Sequence, residues 1–255
     1  MKAEQRPLLD RNFGWIPDLP DHRDHALPTV SAPPPEDKID LSPMCPPVLD
    51  QKNLGSCTAF MTLACARFTA MEKGVEAKRL SELYQYYNSR VLQGTVKQDS
   101  GASIRNAFKA LARWGSCLDT TWPYQVAKFK QTPPNKAFEE GAKRALKPVN
   151  YMRIGQTAAD IQGQIAAKNP VGIGFTCYDN LTEAGKTGIV PMPEGSVIGG
   201  HAILLVGYDR EKRLYKFLNS WGRNWGDKGF GYIPFDYVHN PKLASDFWIL
   251  KSVPY

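Results

Sequence analysis

The 255-residue chain is long enough for one large domain or for two lobes that share a cleft. With 42% hydrophobic and 22% charged residues it has the composition of a globular protein. It contains no run of about 18 apolar residues, the length that would predict a membrane span. Residues 1–40 hold five basic and eight acidic side chains, whereas residues 41–255 hold 27 basic and 17 acidic ones. Because no nucleic-acid-binding motif accompanies the basic excess, we interpret it as a solvated surface and predict no nucleic-acid partner.

The proline-rich first 40 residues predict an extended segment. Prolines recur through FGWIPDLPDHRD at 13–24 and SAPPPED at 31–37, and they exclude a continuous helix. Phe13 and Trp15 are the aromatic side chains that we expect to anchor the segment. The N-terminus lacks the apolar core of a secretory signal, so we expect a cytoplasmic protein or one exported without an ordinary signal peptide.

Helical periodicity dominates the part of the chain that follows. The clearest helix is predicted over residues 57–73, with Ser56 as its N-cap and Gly74 at its end. Further helices are predicted from near Leu80 with Ser81 as cap, over residues 103–115 and over residues 157–168.

Strand patterns dominate after residue 170. They cover residues 170–178, 201–209, 214–221, 229–235 and 246–255. A run of helices followed by a run of strands predicts an α+β protein with two segregated lobes.

The cysteine count favours free thiols over a disulfide framework. The five cysteines are Cys45, Cys57, Cys65, Cys117 and Cys177. Their odd number leaves at least one thiol free, and whether Cys45 pairs with Cys117 stays open. No cluster of histidines and cysteines has the spacing of a zinc site, so we predict neither a metal nor another cofactor.

Cys57 is the cysteine whose position suggests reactivity. It lies in the first turn of the clearest predicted helix, where the helix dipole and unpaired N–H groups stabilise a thiolate and lower the thiol pKa. The thiolate is the nucleophilic form of cysteine. Considered alone, Cys57 fits a buried core cysteine better, because that is the usual place of a free cysteine.

Two polar residues lie where predicted strands would hold them rigidly. His201 begins an apolar strand after two glycines, whereas the other three histidines lie in loose segments or turns. Asn219 ends the next strand, before a glycine-rich turn with Trp221 and Trp225. An Asn219 amide bound to the His201 ring would fix the ring's tautomer, and Trp221 would shield that bond from water. Each residue alone also fits a structural role.

Together these residues resemble the papain-like cysteine peptidases. Cys57, His201 and Asn219 occur in that family's order. Family members have their histidine and asparagine about 130–150 residues after the cysteine. Here His201 follows Cys57 by 144 residues and Asn219 by 162, slightly more than that range. Gln51 lies six residues before Cys57, as the family's glutamine does. The family's NSWGxxWG pattern is matched in full at residues 219–226. The resemblance covers roughly residues 40–255.

The resemblance implies a papain-like two-lobe α+β fold. The helical lobe would span about residues 41–125 and the lobe of antiparallel sheet or barrel about residues 126–255, with the active-site cleft between them. It also implies a set of substrate-binding residues. These are Gly101, Ala102, Gly200, Trp221 and Trp225.

The resemblance implies hydrolysis of peptide bonds in a polypeptide substrate. Cys57 would attack as a thiolate, and His201 would act as acid and base. Gln51 and the Cys57 backbone N–H would form the oxyanion hole. A transferase or amidase with the same thioester chemistry is one alternative, and an inactive binding module of the same fold is another.

The chain departs from the family before and after its nucleophile. Leu54 stands where most members have a disulfide cysteine, and Thr58 stands where most have tryptophan. These departures point to a bacterial-like branch. We hypothesise that residues 1–40 cover the cleft as a short inhibitory pro-segment; an arm packed elsewhere is the alternative. We expect a monomer with no membrane partner, and a separate proteinaceous inhibitor is a further candidate partner.

Overall fold

The computed structural model describes residues 12–29, 32–145 and 150–252. The helices are α1 (Cys57–Glu72), α2 (Glu82–Gln93), α3 (Ile104–Trp114), α4 (Asn135–Ala145), α5 (Ala158–Ala166), α6 (Ala184–Thr187) and α7 (Phe235–Val238). The strands are β1 (Lys38–Asp40), β2 (Asn150–Arg153), β3 (Val171–Tyr178), β4 (Val197–Asp209), β5 (Leu214–Leu218), β6 (Phe230–Pro234) and β7 (Ala244–Ser252). Short 3-10 turns occur at Ser42–Met44, Val126–Lys128 and Asp179–Glu183.

The predicted α+β arrangement is confirmed, with α1–α4 before a mainly antiparallel sheet. β4 begins four residues earlier than the pattern predicts, so His201 lies inside the strand and pairs with Phe175 of β3. Sequence analysis missed α4, α6, α7, β1 and β2. The apolar face of α4 is made mainly by Ala137, Phe138 and Gly141, of which only Ala137 and Gly141 are fully buried, and sequence analysis overlooked this small face. The last predicted strand ends at Ser252, and residues 253–255 lie outside the described residues.

The sheet is open rather than a closed barrel. Its strand order is β2-β7-β3-β4-β5-β6, and β1 pairs with the last residues of β4. Every one of these pairings is antiparallel. Among the described strands β2 and β6 therefore lie at opposite ends of the sheet, and the barrel alternative is wrong.

Helix α1 is buried on nearly every side between the sheet and the other helices. Thirteen of its 16 residues are buried, which is typical of a central helix. Ser56 precedes α1 as predicted, but its side chain does not cap the helix. The Ser56 hydroxyl instead lies 2.7 Å from the Tyr124 hydroxyl. Ser81 does cap α2, by accepting a bond from the Tyr84 N–H.

All five cysteines are free thiols, and four of them are buried. The question of a Cys45–Cys117 bridge is thereby answered. Within the described ranges, no helix is both long and apolar enough to cross a bilayer.

A buried arginine fixes the loop that follows α2. The Arg90 guanidinium donates hydrogen bonds to the carbonyl oxygens of Val96 at 2.8 Å, Gln98 at 2.9 Å and Phe129. Arg90 has no exposed surface. Its donors therefore satisfy carbonyl groups that would otherwise lose water without gaining a partner.

We expect Arg90→Met to destabilise the protein by roughly 3 kcal/mol or more, because about 1–3 kcal/mol is lost for each buried polar group left unpaired. Urea unfolding followed by tryptophan fluorescence measures this loss. The exposed Arg113 of α3 provides the control, and Arg113→Met should change the free energy of unfolding by less than about 0.5 kcal/mol. Equal losses in both variants would contradict the role given to Arg90.

Candidate active site

Packing of α1 against β4 brings Cys57 beside the strand that carries His201. Cys57 is the first residue of α1 and is fully buried. The backbone N–H of Ala202, the residue after His201, points to the Cys57 sulfur. Residues 144 positions apart in the sequence are thus neighbours at one end of the cleft.

The His201 ring is held on two sides. Its Nε2 lies 2.8 Å from the Asn219 Oδ1, a bond that fixes which ring nitrogen carries the proton. The Trp221 ring stacks on the imidazole with centroids 4.3 Å apart and an interplanar angle of 24°. Because all three side chains are buried, this hydrogen bond is shielded from water.

Gln51 is locked beside the start of α1. Its Nε2 donates to the Leu54 carbonyl at 2.9 Å and reaches the Asn12 carbonyl at 3.4 Å. Its Oε1 accepts a 2.6 Å bond from the Ser220 hydroxyl. Sequence analysis missed Ser220, although it stands between Asn219 and Trp221 in the matched motif. Ser220 fixes which end of the Gln51 amide faces the cleft.

The predicted lowering of the Cys57 pKa is wrong for this state of the protein. Burial raises the pKa of the Cys57 thiol to about 11, and the backbone N–H groups of Ala202 and Gly14 oppose that rise. The helix-start argument considered α1 alone. Removal of the sulfur from water outweighs the helix dipole here.

The N-terminal segment, defined here as residues 12–27, runs through the cleft. The Trp15 N–H donates to the Gly200 carbonyl at 2.9 Å on the sheet side. On the helix side, the Ala102 N–H donates to the Gly14 carbonyl at 2.8 Å and the Ile16 N–H to the Ala102 carbonyl at 3.1 Å. The segment therefore uses the backbone groups of both cleft walls.

Glycines on both sides make this close approach possible. A Cβ at Gly14 would overlap the Gly55 carbonyl, and a Cβ at Gly101, where φ is +73°, would overlap the Gly14 carbonyl. On the sheet side a Cβ at Gly200 would come within 2.6 Å of the Trp15 ring, and one at Gly199 within 2.6 Å of Phe13. A side chain at these positions would force the segment away from the sulfur.

The two aromatic residues predicted as anchors do anchor the segment. Trp15 is buried, and its Nε1 donates a 3.0 Å bond to the Asp246 carboxylate. The Phe13 ring meets the Trp221 ring edge-on, with centroids 6.2 Å apart. Trp225, by contrast, packs in the core behind Trp221, with centroids 5.2 Å apart. The structure therefore brings Trp221, but not Trp225, against the segment.

Charged groups fasten the segment further along. The Arg105 guanidinium binds both oxygens of Asp24 at 2.7 and 2.6 Å, and this pair is largely buried. Arg153 reaches Asp24 at 3.3 Å. The Asp18 carboxylate accepts a 3.0 Å bond from the Trp248 indole. The acidic segment and the basic body are thus complementary in net charge and also in these individual ion pairs.

Metal ligands are not grouped in the described part of the chain. No set of three or more His, Cys, Asp or Glu side chains there is arranged to hold an ion.

Comparison with known proteins identifies one family. The sequence model described as papain family cysteine protease matches residues 36–247. An uncharacterized peptidase C1-like protein of Acanthamoeba polyphaga mimivirus is 33% identical over 96% of this chain and 88% of its own length. Cathepsin B-like CP3 of Giardia intestinalis is 30% identical over 79% of this chain and 70% of its own length. Among solved structures, xylellain, a cysteine protease from Xylella fastidiosa, superimposes with a TM-score of 0.87 at 31% identity, over 96% of this chain and 97% of xylellain.

We expect Cys57 in the intact chain to react with iodoacetamide at pH 7 about a hundredfold more slowly than free cysteine, whose pKa is about 8.5. A pKa of about 11 leaves a far smaller thiolate fraction, and the sulfur is covered. Mass spectrometry of the Cys57 peptide over time measures the rate, with the chain unfolded in urea as control. Labelling of Cys57 as fast as in urea would contradict a covered sulfur.

Proposed function

This chain belongs to the papain family of cysteine proteases and is a cysteine-type peptidase, and from that premise we propose which of its residues perform the chemistry. Cys57 is the nucleophile, His201 is the acid and base, Asn219 orients His201, and Gln51 is an oxyanion donor. The observation that carries this assignment is the 2.8 Å bond between His201 and Asn219. The backbone N–H of Ala202, the residue after His201 on β4, faces the Cys57 sulfur.

The reaction follows from these positions. Once the cleft is open, the Cys57 thiol gives its proton to His201. The resulting thiolate attacks the scissile carbonyl carbon, and the Gln51 amide and Cys57 N–H bind the oxygen that becomes negative. His201 then gives its proton to the leaving amine, which departs and leaves a thioester on Cys57. His201 next takes a proton from water, which attacks the thioester and releases the acid product. All of these groups come from one chain, so the proposed site is complete without a partner, and we propose that the enzyme acts as a monomer.

We further propose that the N-terminal segment holds this enzyme inactive. The backbone N–H of Gly14 lies at the Cys57 sulfur, so the segment covers the nucleophile. The Asn12 carbonyl lies at the Gln51 amide, 3.4 Å from its Nε2. The segment therefore covers the nucleophile and the oxyanion donor at once.

We expect Cys57→Ala to abolish hydrolysis of a fluorogenic peptide by a chain that begins at Glu36. Gln51→Ala should lower kcat by about 10²–10³, the usual effect of removing one oxyanion donor. Cys45→Ala provides the control, because Cys45 is a free thiol outside the site, and it should keep full activity. Full activity of Cys57→Ala would refute the assigned nucleophile.

We expect the chain that begins at Glu36 to be more active than the intact chain, and Gly14→Val to raise the activity of the intact chain. The added side chain would overlap the Gly55 carbonyl. Overpacking of this kind costs about 1–3 kcal/mol, which shifts the population of the covered state about 5- to 150-fold. Thr29→Val, at an exposed position, is the control and should leave the intact chain inactive. Equal rates for the intact and shortened chains would dismiss the inhibitory role.

We expect inhibition by the segment to weaken as the pH rises from 5 to 7. Burial, followed by the nearby Asp18 carboxylate, raises the pKa of Asp246 to about 6. The Asp18 carboxylate belongs to the segment, and Trp15 packs against Asp246. The Trp15 indole N–H and the Asp18 backbone N–H lower the pKa of Asp246, but the net shift in the docked state is upward, so docking takes up a proton and is favoured below pH 6. Arg153, 3.4 Å from Asp246, faces the same group. The activity ratio of intact to shortened chain should rise severalfold across this range.

The pH test has its own control variant. Asp246→Asn removes the titrating group but keeps an acceptor for the Trp15 indole, so the activity ratio should become independent of pH between 5 and 7. A ratio that falls with rising pH in the unchanged protein would contradict the sign of this coupling.

A further inference from the structure

Asp99 is a half-buried carboxylate at the rim of the cleft, outside the proposed catalytic set. Its Oδ1 accepts a 2.6 Å bond from the Tyr86 hydroxyl, which itself accepts the Gly101 N–H at 3.0 Å. The Gly55 N–H, two residues before Cys57, lies 3.1 Å from both carboxylate oxygens. Tyr86 is fully buried, so these bonds fix the orientation of the Asp99 carboxylate before any ligand arrives.

The second oxygen of Asp99 is occupied by the segment. The Asn12 Nδ2 donates to Oδ2 at 2.7 Å, in a contact that is exposed at the cleft rim. When the segment leaves, this oxygen loses that donor while Tyr86 and Gly55 still hold the carboxylate in place. A negatively charged acceptor then faces the open cleft.

Asn12 also shows which part of a substrate this oxygen would meet. Its own carbonyl lies at the Gln51 amide, where the scissile carbonyl oxygen must bind if Gln51 stabilises the oxyanion. One residue thus spans the oxyanion donor and Asp99. The side chain on the acyl side of the cleaved bond is therefore the one within reach of Asp99.

Charge decides which side chain gains most from this position. A carboxylate forms stronger hydrogen bonds with a cation than with a neutral donor, and it repels another carboxylate. The contact is exposed, so the wall does not exclude side chains longer than asparagine. We infer that Asp99 makes this peptidase selective for lysine or arginine on the acyl side of the cleaved bond and against aspartate or glutamate there. This inference rests on the proposed oxyanion role of Gln51.

The test uses the chain that begins at Glu36 and four peptides that differ only at the acyl-side residue: arginine, glutamine, leucine and glutamate. We expect kcat/KM to be about tenfold higher for arginine than for leucine, and lowest for glutamate. Asp99→Asn keeps acceptors for Tyr86 and Gly55 but removes the charge, and it should abolish the arginine preference. Glu72→Gln, the same change of charge at the exposed far end of α1, should retain it.

An arginine preference that persists in Asp99→Asn, or equal kcat/KM for all four peptides in the unchanged enzyme, would overturn the inference. Cleavage of none of the four peptides would instead overturn the assigned catalytic roles, and the selectivity with them.

The intact chain supplies a second measurement that does not alter Asp99. Asn12→Asp places like charges together and should raise the residual activity of the intact chain, whereas Asn12→Lys should lower it. The same activity in both variants would also overturn the inference, because Asp99 would then not sense charge in the cleft.

Discussion

The contact between the first turn of α1 and strand β4 is the constraint on which the rest of the site depends. α1 is buried on nearly all sides, so its first residue cannot move without disturbing the core. β4 is paired along its length with β3, β5 and β1, which fixes His201 and Ala202 equally firmly. Two rigid elements thus hold the sulfur and the imidazole, and the remaining polar groups only refine their orientation.

The rigid walls of the cleft also explain how so short a segment can fill it. Gly55 and Gly101 on one side and Gly199 and Gly200 on the other leave room for a backbone and little more. Trp15 supplies the buried apolar surface, and the Asp24–Arg105 pair supplies a largely desolvated charge contact. The covered state is therefore stabilised by shape and charge together, at the expense of the reactivity of Cys57.

Sequence analysis located the residues whose positions are fixed by local pattern. Cys57 and His201 lie on elements that periodicity predicts, Asn219 follows directly after β5, which ends earlier than predicted, and the motif order relates the three residues. Ser220 and Asp99 were missed because their contacts join residues 169 and 44 positions apart; the motif at 219–226 contains Ser220 but does not show which residue its hydroxyl contacts. The Cys57 pKa was predicted in the wrong direction because the sulfur is fully buried in the folded chain, and a helix considered alone cannot show this.

Mass spectrometry after treatment with an epoxide-type thiol inhibitor tests the central claim, that Cys57 is the activated sulfur and the segment covers it. The chain beginning at Glu36 should form a single adduct, mapped to Cys57, and its formation should be lost in His201→Ala. The intact chain should form the same adduct far more slowly. An adduct on any of the other four cysteines, or one on Cys57 that forms equally fast in the intact chain, would contradict the account.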